Sequence, residues 1–108
     1  MEINIEDFAK VEITVGEILS AEPIEGSDKL LKLKVSFGPL GERQVLSGIA
    51  KYFPDPQVLV GKCVPFATNL APRMMMGLES QAMILAAGGG ETPFGLFETT
   101  ALPGERVK

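Results

Sequence analysis

The sequence predicts an all-β domain built on five short strands, with a short helix between strands three and four and a C-terminal β extension. Apolar and polar residues alternate along several segments, which is the pattern of strands with one buried face. Glycine, proline and acidic residues cluster between these segments and predict turns. A length of 108 residues with 45% apolar content is typical of one ordered domain with a modest core.

The first half of the chain contains the clearest alternation. Leu31, Leu33 and Val35 alternate with lysines, which predicts a strand with a basic outward face. Asn4, three residues before Asp7, is typical of a helix N-cap. The predicted elements are a helix over 5–9, a first strand over 11–24 bent at Gly16, a turn over 25–28, a second strand over 31–37, a connection over 38–41 and a third strand over 43–49.

The second half continues the strand pattern after a helical insert. Residues 50–53 are expected to form one helical turn, which Pro54 stops. Fourth and fifth strands are predicted over 62–68 and 81–87, before the glycine triplet 88–90 breaks the pattern. Five strands with a helical insert at this position fit a five-stranded Greek-key barrel, the OB-fold, although periodicity alone does not separate it from another small barrel.

The tail beyond the glycine triplet predicts an extension of the barrel. Phe94, Leu96 and Phe97 indicate a further hairpin, whose apolar side chains either cover the barrel or pair with a second subunit. A barrel this small has little interior left to bury them, which favours a dimer. We therefore expect a single domain over 1–108, with a core over about 10–88 and a dimerisation extension over about 89–108.

The inventory of reactive side chains argues against catalysis. Cys63 is the only cysteine and there is no histidine, so internal disulfides, thiolate or imidazole metal sites and Ser-His or Cys-His pairs are excluded. We also find no acidic loop of the kind that holds calcium or magnesium, and expect no cofactor. A lone cysteine fits a reducing compartment, most simply the cytoplasm, and the absence of a long apolar run predicts no membrane partner.

The net charge of −4 conceals a basic middle segment. Residues 1–28 hold eight acidic residues and one basic residue, whereas residues 29–81 hold seven basic and three acidic residues. The remaining residues, 82–108, hold three acidic and two basic residues. The middle segment is either a solvated charged face or a surface for a polyanion.

The basic residues fall where an OB barrel binds oligonucleotides, on the face of strands two and three and the flanking loops. Lys29 precedes strand two, and Lys32 and Lys34 lie on its outward side. Arg43 opens strand three. Phosphate contacts from these residues would add affinity that depends on salt. The alternative is that the lysines only keep the edge of the sheet soluble.

A polar set stands out in the apolar segment from residue 69 to residue 83. A core strand does not need these side chains, so they indicate a binding surface. With six Phe, one Tyr and no Trp, the chain offers few rings for stacking bases, which favours recognition of backbone and shape, as in folded RNA. Met74, Met75 and Met76 are interpreted as core or interface filler. The polar set is Asn69, Arg73, Ser80 and Gln81.

A series of short motifs runs through nearly the whole chain. They are Asp7-Phe8-Ala9-Lys10-Val11, Val15-Gly16, Gly26-Ser27-Asp28-Lys29-Leu30-Leu31, Ser47-Gly48-Ile49, Tyr52, Val60-Gly61-Lys62, Asn69-Leu70-Ala71-Pro72-Arg73, Glu79-Ser80-Gln81 and Met83. Their identity and order resemble the tRNA-binding domain family. That family includes the C-terminal domain of bacterial methionyl-tRNA synthetases, free-standing tRNA-binding proteins and a group of secretion-linked chaperones. The synthetase type is the most similar subgroup.

The resemblance implies a homodimeric OB-fold that binds the outer corner of folded tRNA by shape, without reading an anticodon. It also implies that the C-terminal extension helps to form the dimer. Asparagine and serine can donate to a phosphate or 2′-hydroxyl, and arginine can hold a phosphate with two hydrogen bonds. The family's tRNA-contacting positions fall on Lys29, Lys32, Asn69, Arg73, Ser80 and Met83.

The chain departs from the family pattern at three positions. The family usually has a basic residue at the position of Met74, sometimes another at Met76, and commonly glycine at Ala82. Fewer cations imply weaker binding with a flatter dependence on salt. Binding would then rely on the avidity of a dimer or on a parent synthetase.

Three classes of function remain from the sequence. The leading hypothesis is a non-catalytic, homodimeric tRNA-binding module that acts in cis or in trans with an aminoacyl-tRNA synthetase, either as an appended domain of a methionyl-tRNA synthetase or as its partner. The alternative is a secretion-linked chaperone or interaction module that binds apolar clients. An enzyme would have only carboxylates, lysines and Tyr52 for acid–base chemistry.

Overall fold

The computed structural model describes the whole chain, Met1–Lys108, as one curled sheet with two small hairpins. The predicted short helix between strands three and four takes the form of two 3₁₀ turns, Ala50–Tyr52 and Pro56–Leu59. The helix and strands are α1 (Ile5–Phe8), β1 (Ile13–Pro23), β2 (Leu31–Ser36), β3 (Glu42–Ser47), β4 (Cys63–Ala67), β5 (Arg73–Met75), β6 (Leu78–Ser80), β7 (Met83–Ile84), β8 (Ala86–Gly89) and β9 (Thr92–Leu96).

The long strand β1 is shared by both halves of the sheet. Its residues 13–17 pair with β4, and its residues 17–23 pair with β2, in both cases antiparallel. The register shifts between Ile18 and Ser20, and such a bulge increases the local twist. The order β3-β2-β1-β4-β7 therefore curls into an OB-like half-barrel, as the sequence predicts.

Apolar side chains from β1, β2 and β4 fill the interior. Phe37 and Phe66 meet edge to face, with 5.4 Å between their ring centroids. Ile18, Leu33 and Val64 are fully buried around them. The predicted alternation in β2 is confirmed, because its apolar residues face this core and its lysines face outward.

Gly16 lies inside β1 at a position where the core leaves no room for a side chain. The bend predicted at this residue was wrong, since the strand continues through it and the bulge lies a few residues further on. A Cβ at this position would stand 2.5 Å from Val35 Cγ1 and 2.7 Å from Phe37 Cε1. Only glycine leaves room for these two core side chains.

Replacing Gly16 by alanine is expected to lower the free energy of unfolding by about 1–2 kcal/mol, because the added methyl group overpacks the core. The cost stays moderate because the facing atoms are side-chain tips that can shift. Urea denaturation measures the change. Gly48→Ala is the matched control, since a Cβ there meets nothing within 4 Å. Equal losses in both variants would contradict the packing explanation.

The predicted fifth strand is divided. Only the two residues of β7 pair with β4, whereas β8 forms a separate hairpin with β9. The hairpin of β5 and β6 was not predicted. Its tip has φ of +53° at Met76 and +79° at Gly77, the conformation of a turn that usually carries Asn-Gly or Asp-Gly. A methionine at the first position conceals this turn in the sequence.

The C-terminal extension packs on the barrel, which is one of the two roles that the sequence left open. The N–H of Val15 donates to the Glu105 carbonyl at 2.9 Å, and the N–H of Gly104 donates to the Val15 carbonyl at 2.8 Å. Phe94 stacks on Tyr52 with 4.3 Å between ring centroids, and both Phe94 and Leu96 pack against the core. Much of the apolar tail is thus used within one chain.

Candidate nucleic-acid interface

Three neighbouring parts of the molecule carry the residues predicted to bind a polyanion. They are the loop of residues 24–30 between β1 and β2, the outward face of β2, and the segment 69–83, which includes the β5–β6 hairpin. The hairpin lies beside β3, and at its tip the Met76 methyl carbon lies 3.6 Å from where a Cβ on Gly26 would stand. We call these three parts together the candidate surface.

Two cations on the candidate surface have no partner within the chain. Lys29 in the loop and Arg73 at the start of β5 are exposed, and their charged groups make no salt bridge or hydrogen bond. Lys51 is unpaired as well, but it lies over the Tyr52 ring, 5.3 Å from its centroid, near the C-terminal extension. Unpaired cations are free to form charge-assisted bonds with phosphate.

The two lysines on the outward face of β2 are each paired with an acidic neighbour. Lys32 Nζ lies 3.3 Å from Glu22 on β1, and Lys34 Nζ lies 3.5 Å from Glu42 on β3. The Lys32 side chain is 39% exposed and the other three are more than half exposed, and such surface pairs contribute only about 0–1 kcal/mol. A phosphate can therefore compete for the lysines, but the two carboxylates reduce the positive potential of this face.

Arg43 has an internal role that the sequence analysis missed. Its Nη1 donates to the carbonyl of Thr68 at 2.6 Å and to the carbonyl of Gln81 at 3.2 Å. Its guanidinium also lies over the Phe37 ring, 5.6 Å from the centroid. The sequence does contain a signal, because Arg43 has the same strand phase as the buried Val45 and therefore points inward.

Asn69 fastens the segment that precedes β1. Its Oδ1 accepts from the Glu12 N–H at 2.8 Å, and its Nδ2 donates to the Lys10 carbonyl at 2.6 Å. The residue is exposed, and the amide keeps one further N–H and one further lone pair. Asn69 can therefore hold the chain and still contact a ligand.

Ser80 and Gln81 close the gap between β3 and β7. The Ser80 hydroxyl accepts from the Leu46 N–H at 3.0 Å and donates to the Ala82 carbonyl at 3.1 Å. Gln81 Oε1 accepts from the backbone N–H of Gln44 at 2.9 Å. The backbone N–H of Gln81 donates to the Gln44 carbonyl, also at 2.9 Å. Ser80 is only 5% exposed. Its side chain serves barrel closure in this conformation.

An apolar strip accompanies the polar residues of the candidate surface. Met83 pairs with Ala67 on β4 and is half exposed. Leu70 is similarly exposed, and Met74 is 67% exposed on the outer side of the hairpin. Met74 thus presents an uncharged side chain where the resemblance implies a cation.

The three residues predicted for a dimer interface separate into two groups. Phe94 and Leu96 are partly buried against the barrel, as described above. Phe97 is 55% exposed, beside Pro65 and Thr99. Of the three, Phe97 offers the most free apolar surface to another molecule.

The single thiol of the chain is not activated. Burial, followed by the nearby Glu17 carboxylate, raises the pKa of the Cys63 thiol, which disfavours the nucleophilic thiolate. The chain brings together no group of three or more His, Cys, Asp or Glu side chains that could hold a metal ion. No helix has both the length and the apolar character needed to cross a membrane.

Comparisons of sequence point to one family. The family model described as "Putative tRNA binding domain" matches residues 13–105. The methionine–tRNA ligase of Xylella fastidiosa strain M12 is 44% identical over 108 residues, which are 98% of this chain and 15% of the ligase. That of Caldanaerobacter subterraneus is 53% identical over 85 residues, 79% of this chain and 13% of the ligase. The chain thus spans about 15% of the length of the ligase from Xylella.

Solved structures share the fold over the full length. The MetRS-related protein of Pyrococcus horikoshii superimposes with a TM-score of 0.91 at 36% identity and covers 100% of both chains. The CsaA chaperone of Picrophilus torridus has a TM-score of 0.87 at 25% identity and covers 99% of this chain and 100% of its own. Together with the match to residues 13–105, this agreement shows that the chain belongs to the tRNA-binding domain family, of the type found at the C-terminus of methionyl-tRNA synthetases.

Proposed function

We propose that the chain is a non-catalytic module that binds the outer corner of folded tRNA through the candidate surface. The observation that carries the proposal is the pair of unpartnered cations, Lys29 and Arg73, on two chain segments that meet at the hairpin tip. The match to the tRNA-binding family supports the choice of polyanion. The basic middle segment supports electrostatic attraction within an acidic chain.

The predicted contact residues take different roles in this proposal. Lys29 and Arg73 bind phosphates directly, and Lys32 and Lys34 exchange their carboxylate partners for phosphates. Asn69 donates its remaining amide N–H to a phosphate or 2′-hydroxyl. Of the other predicted contacts, Ser80 and Gln81 hold their segment against β3 through hydrogen bonds, and Met83 adds exposed apolar surface.

Binding by four cations is expected to be weak for one chain and strongly dependent on salt. We propose that a homodimer compensates, since two linked sites raise the overall avidity. The exposed Phe97 is the favoured contact of the proposed interface, and Phe94 and Leu96 contribute the parts of their side chains that the barrel leaves uncovered. The similarity to methionine–tRNA ligases supports action in cis or in trans with such a synthetase.

Replacing Phe97 by aspartate is expected to convert the dimer into a monomer, because a charge in an apolar interface is costly to desolvate. Sedimentation velocity measures the mass. Leu40→Asp is the control, because Leu40 is 65% exposed at a different site. A wild-type mass equal to that of the variant would contradict the role of Phe97 in dimerisation.

A titration of labelled tRNA, followed by fluorescence anisotropy at low salt, tests the function itself. We expect saturable binding to folded tRNA and clearly weaker binding to a DNA duplex of equal charge. The affinity should fall steeply as salt increases, since each phosphate contact releases counterions. Equal affinity for both nucleic acids, or none for tRNA, would contradict the proposal.

The second candidate function is the binding of apolar polypeptides. The exposed apolar strip of Leu70, Met74 and Met83 favours it, as does the similarity to a protein described as the CsaA chaperone. The salt series separates the two functions. Binding of an unfolded model polypeptide would survive high salt, whereas tRNA binding would be lost.

A further inference from the structure

A small apolar hollow lies directly beside Arg73. The buried side chains of Leu46 and Ala82 form its floor, and Leu70, Met75 and Met83 form its walls. Its volume is about 60 Å³, which is enough for a few water molecules but too small for a whole nucleobase.

The fold gives the hollow a rigid base and a charged rim. Arg73 and Met75 are two residues apart on β5, so both project from the same side of the hairpin. Arg73 pairs across the hairpin with Ser80, whose hydroxyl is bonded to β3 and to the Ala82 carbonyl. The Arg73 side chain therefore starts at the edge of the apolar floor, which the hydrogen bonds of Ser80 hold in place.

The lining determines what kind of group the hollow can take. Its polar hydroxyl, from Ser80, is already engaged, so the floor offers apolar contact without hydrogen-bond readout. Methionine thioethers make favourable contacts with aromatic rings, and an arginine at the rim can hold a phosphate or lie over a ring. A planar ring attached to a phosphate matches this combination.

We infer that the hollow is a subsite for one unpaired base of the bound RNA, whose edge enters it while Arg73 holds an adjacent phosphate. The inference rests on the proposed tRNA-binding function and extends it from backbone contacts to one base. Because Leu46 and Ala82 form the floor and the Ser80 hydroxyl is already engaged, the subsite accepts different bases. The wall methionines supply the contact that aromatic residues provide in proteins that bind single-stranded nucleic acids.

An apolar side chain of a polypeptide is the competing occupant. The unpaired guanidinium at the rim and the basic middle segment favour a nucleotide, because neither contributes to binding a neutral side chain. Met74 provides an internal reference. It lies on the opposite side of β5 from Arg73 and Met75 and does not line the hollow.

Methyl NMR on protein labelled at Leu and Met methyl groups tests the subsite directly, with adenosine monophosphate, ribose 5-phosphate and inorganic phosphate as probes. We expect the monophosphate to shift the methyl signals of Leu70, Met75 and Met83 and to leave that of Met74 in place. Ribose 5-phosphate and phosphate should leave all four in place. Equal shifts with all three probes, or none with the nucleotide, would overturn the subsite.

Substitution of the methionines provides a second test of the subsite. Met83→Gln, which keeps the size of the side chain but adds a polar amide, is expected to weaken tRNA binding about fivefold or more, whereas Met74→Gln should change it less than twofold. Circular dichroism verifies that both variants fold.

If wild-type tRNA binding is normal and neither variant weakens it, the base subsite is wrong and the tRNA function stands. If the wild type binds no tRNA, both fail. An apolar peptide that shifts the same methyl signals while the nucleotide does not would identify the hollow as a peptide site.

Discussion

Replacing Ser80 by alanine is expected to lower the free energy of unfolding by about 2–4 kcal/mol. The buried Leu46 N–H loses its acceptor, and the Ala82 carbonyl loses its donor. An unsatisfied buried donor alone costs about 1–3 kcal/mol, and the second lost bond adds to it. No neighbouring strand can replace the hydroxyl, because β3 and β7 are the two ends of the sheet. Urea denaturation measures the loss.

The same variant separates the two roles that Ser80 can have. If the hydroxyl closes the barrel, tRNA affinity measured well below the melting temperature should fall only through the displaced Arg73 and not disappear. Ser20→Ala, at an exposed position of β1, is the control and should change stability by less than about 0.5 kcal/mol. A Ser80→Ala protein with wild-type stability and no tRNA binding would show that the hydroxyl contacts RNA instead.

Replacing both Lys29 and Arg73 by alanine is expected to weaken tRNA binding by about 10- to 100-fold at low salt. Each removed phosphate contact should also reduce the slope of log affinity against log salt by about one unit. Neither charged group takes part in a salt bridge or hydrogen bond within the chain, so the stability of the fold should hardly change. Anisotropy titrations over a salt series give both quantities.

Lys51→Ala is the matched control for these two cations. It removes one unpaired positive charge from outside the candidate surface, so the net charge changes while the proposed contacts remain. We expect less than a twofold change in affinity. A loss of affinity that follows net charge alone, with Lys51→Ala costing as much per charge, would contradict a localised binding surface.

The fold was largely predictable because its main signals are local. The alternation of β2 directly predicts its buried and exposed faces, and the Asn4 side chain accepts from the Asp7 N–H, as the cap pattern predicts. The β5–β6 hairpin could not be predicted in the same way. Its turn places Met76 at a positive φ, which tertiary packing tolerates but local propensity disfavours.

The candidate site was predictable as a region but not in the role of each residue. Composition marks Asn69, Ser80 and Gln81 as unusual, yet each has a hydrogen-bond partner that lies 34 to 59 residues away in the chain. Such long-range hydrogen bonds leave no periodic pattern in the sequence. The polar set consequently combines side chains that hold the barrel with an arginine that is free to bind.

The predicted dimer residues illustrate the same limit. An apolar tail can cover its own barrel or another chain, and the amino-acid pattern is identical in both cases. The stacking of Phe94 on Tyr52 depends on the 3₁₀ turn of residues 50–52, which positions the ring 4.3 Å away. Of the three residues, only Phe97 is exposed enough to cover another chain with most of its ring.

The most direct test of the account is the map of backbone amide shifts in the ¹⁵N-labelled protein when unlabelled folded tRNA is added at low salt. We predict that the perturbed amides cluster in residues 24–34 and 69–83, and that amides in residues 54–60 stay in place. Perturbations confined to α1 and residues 97–108, or an identical map with duplex DNA at the same affinity, would contradict the assignment of the tRNA-binding surface.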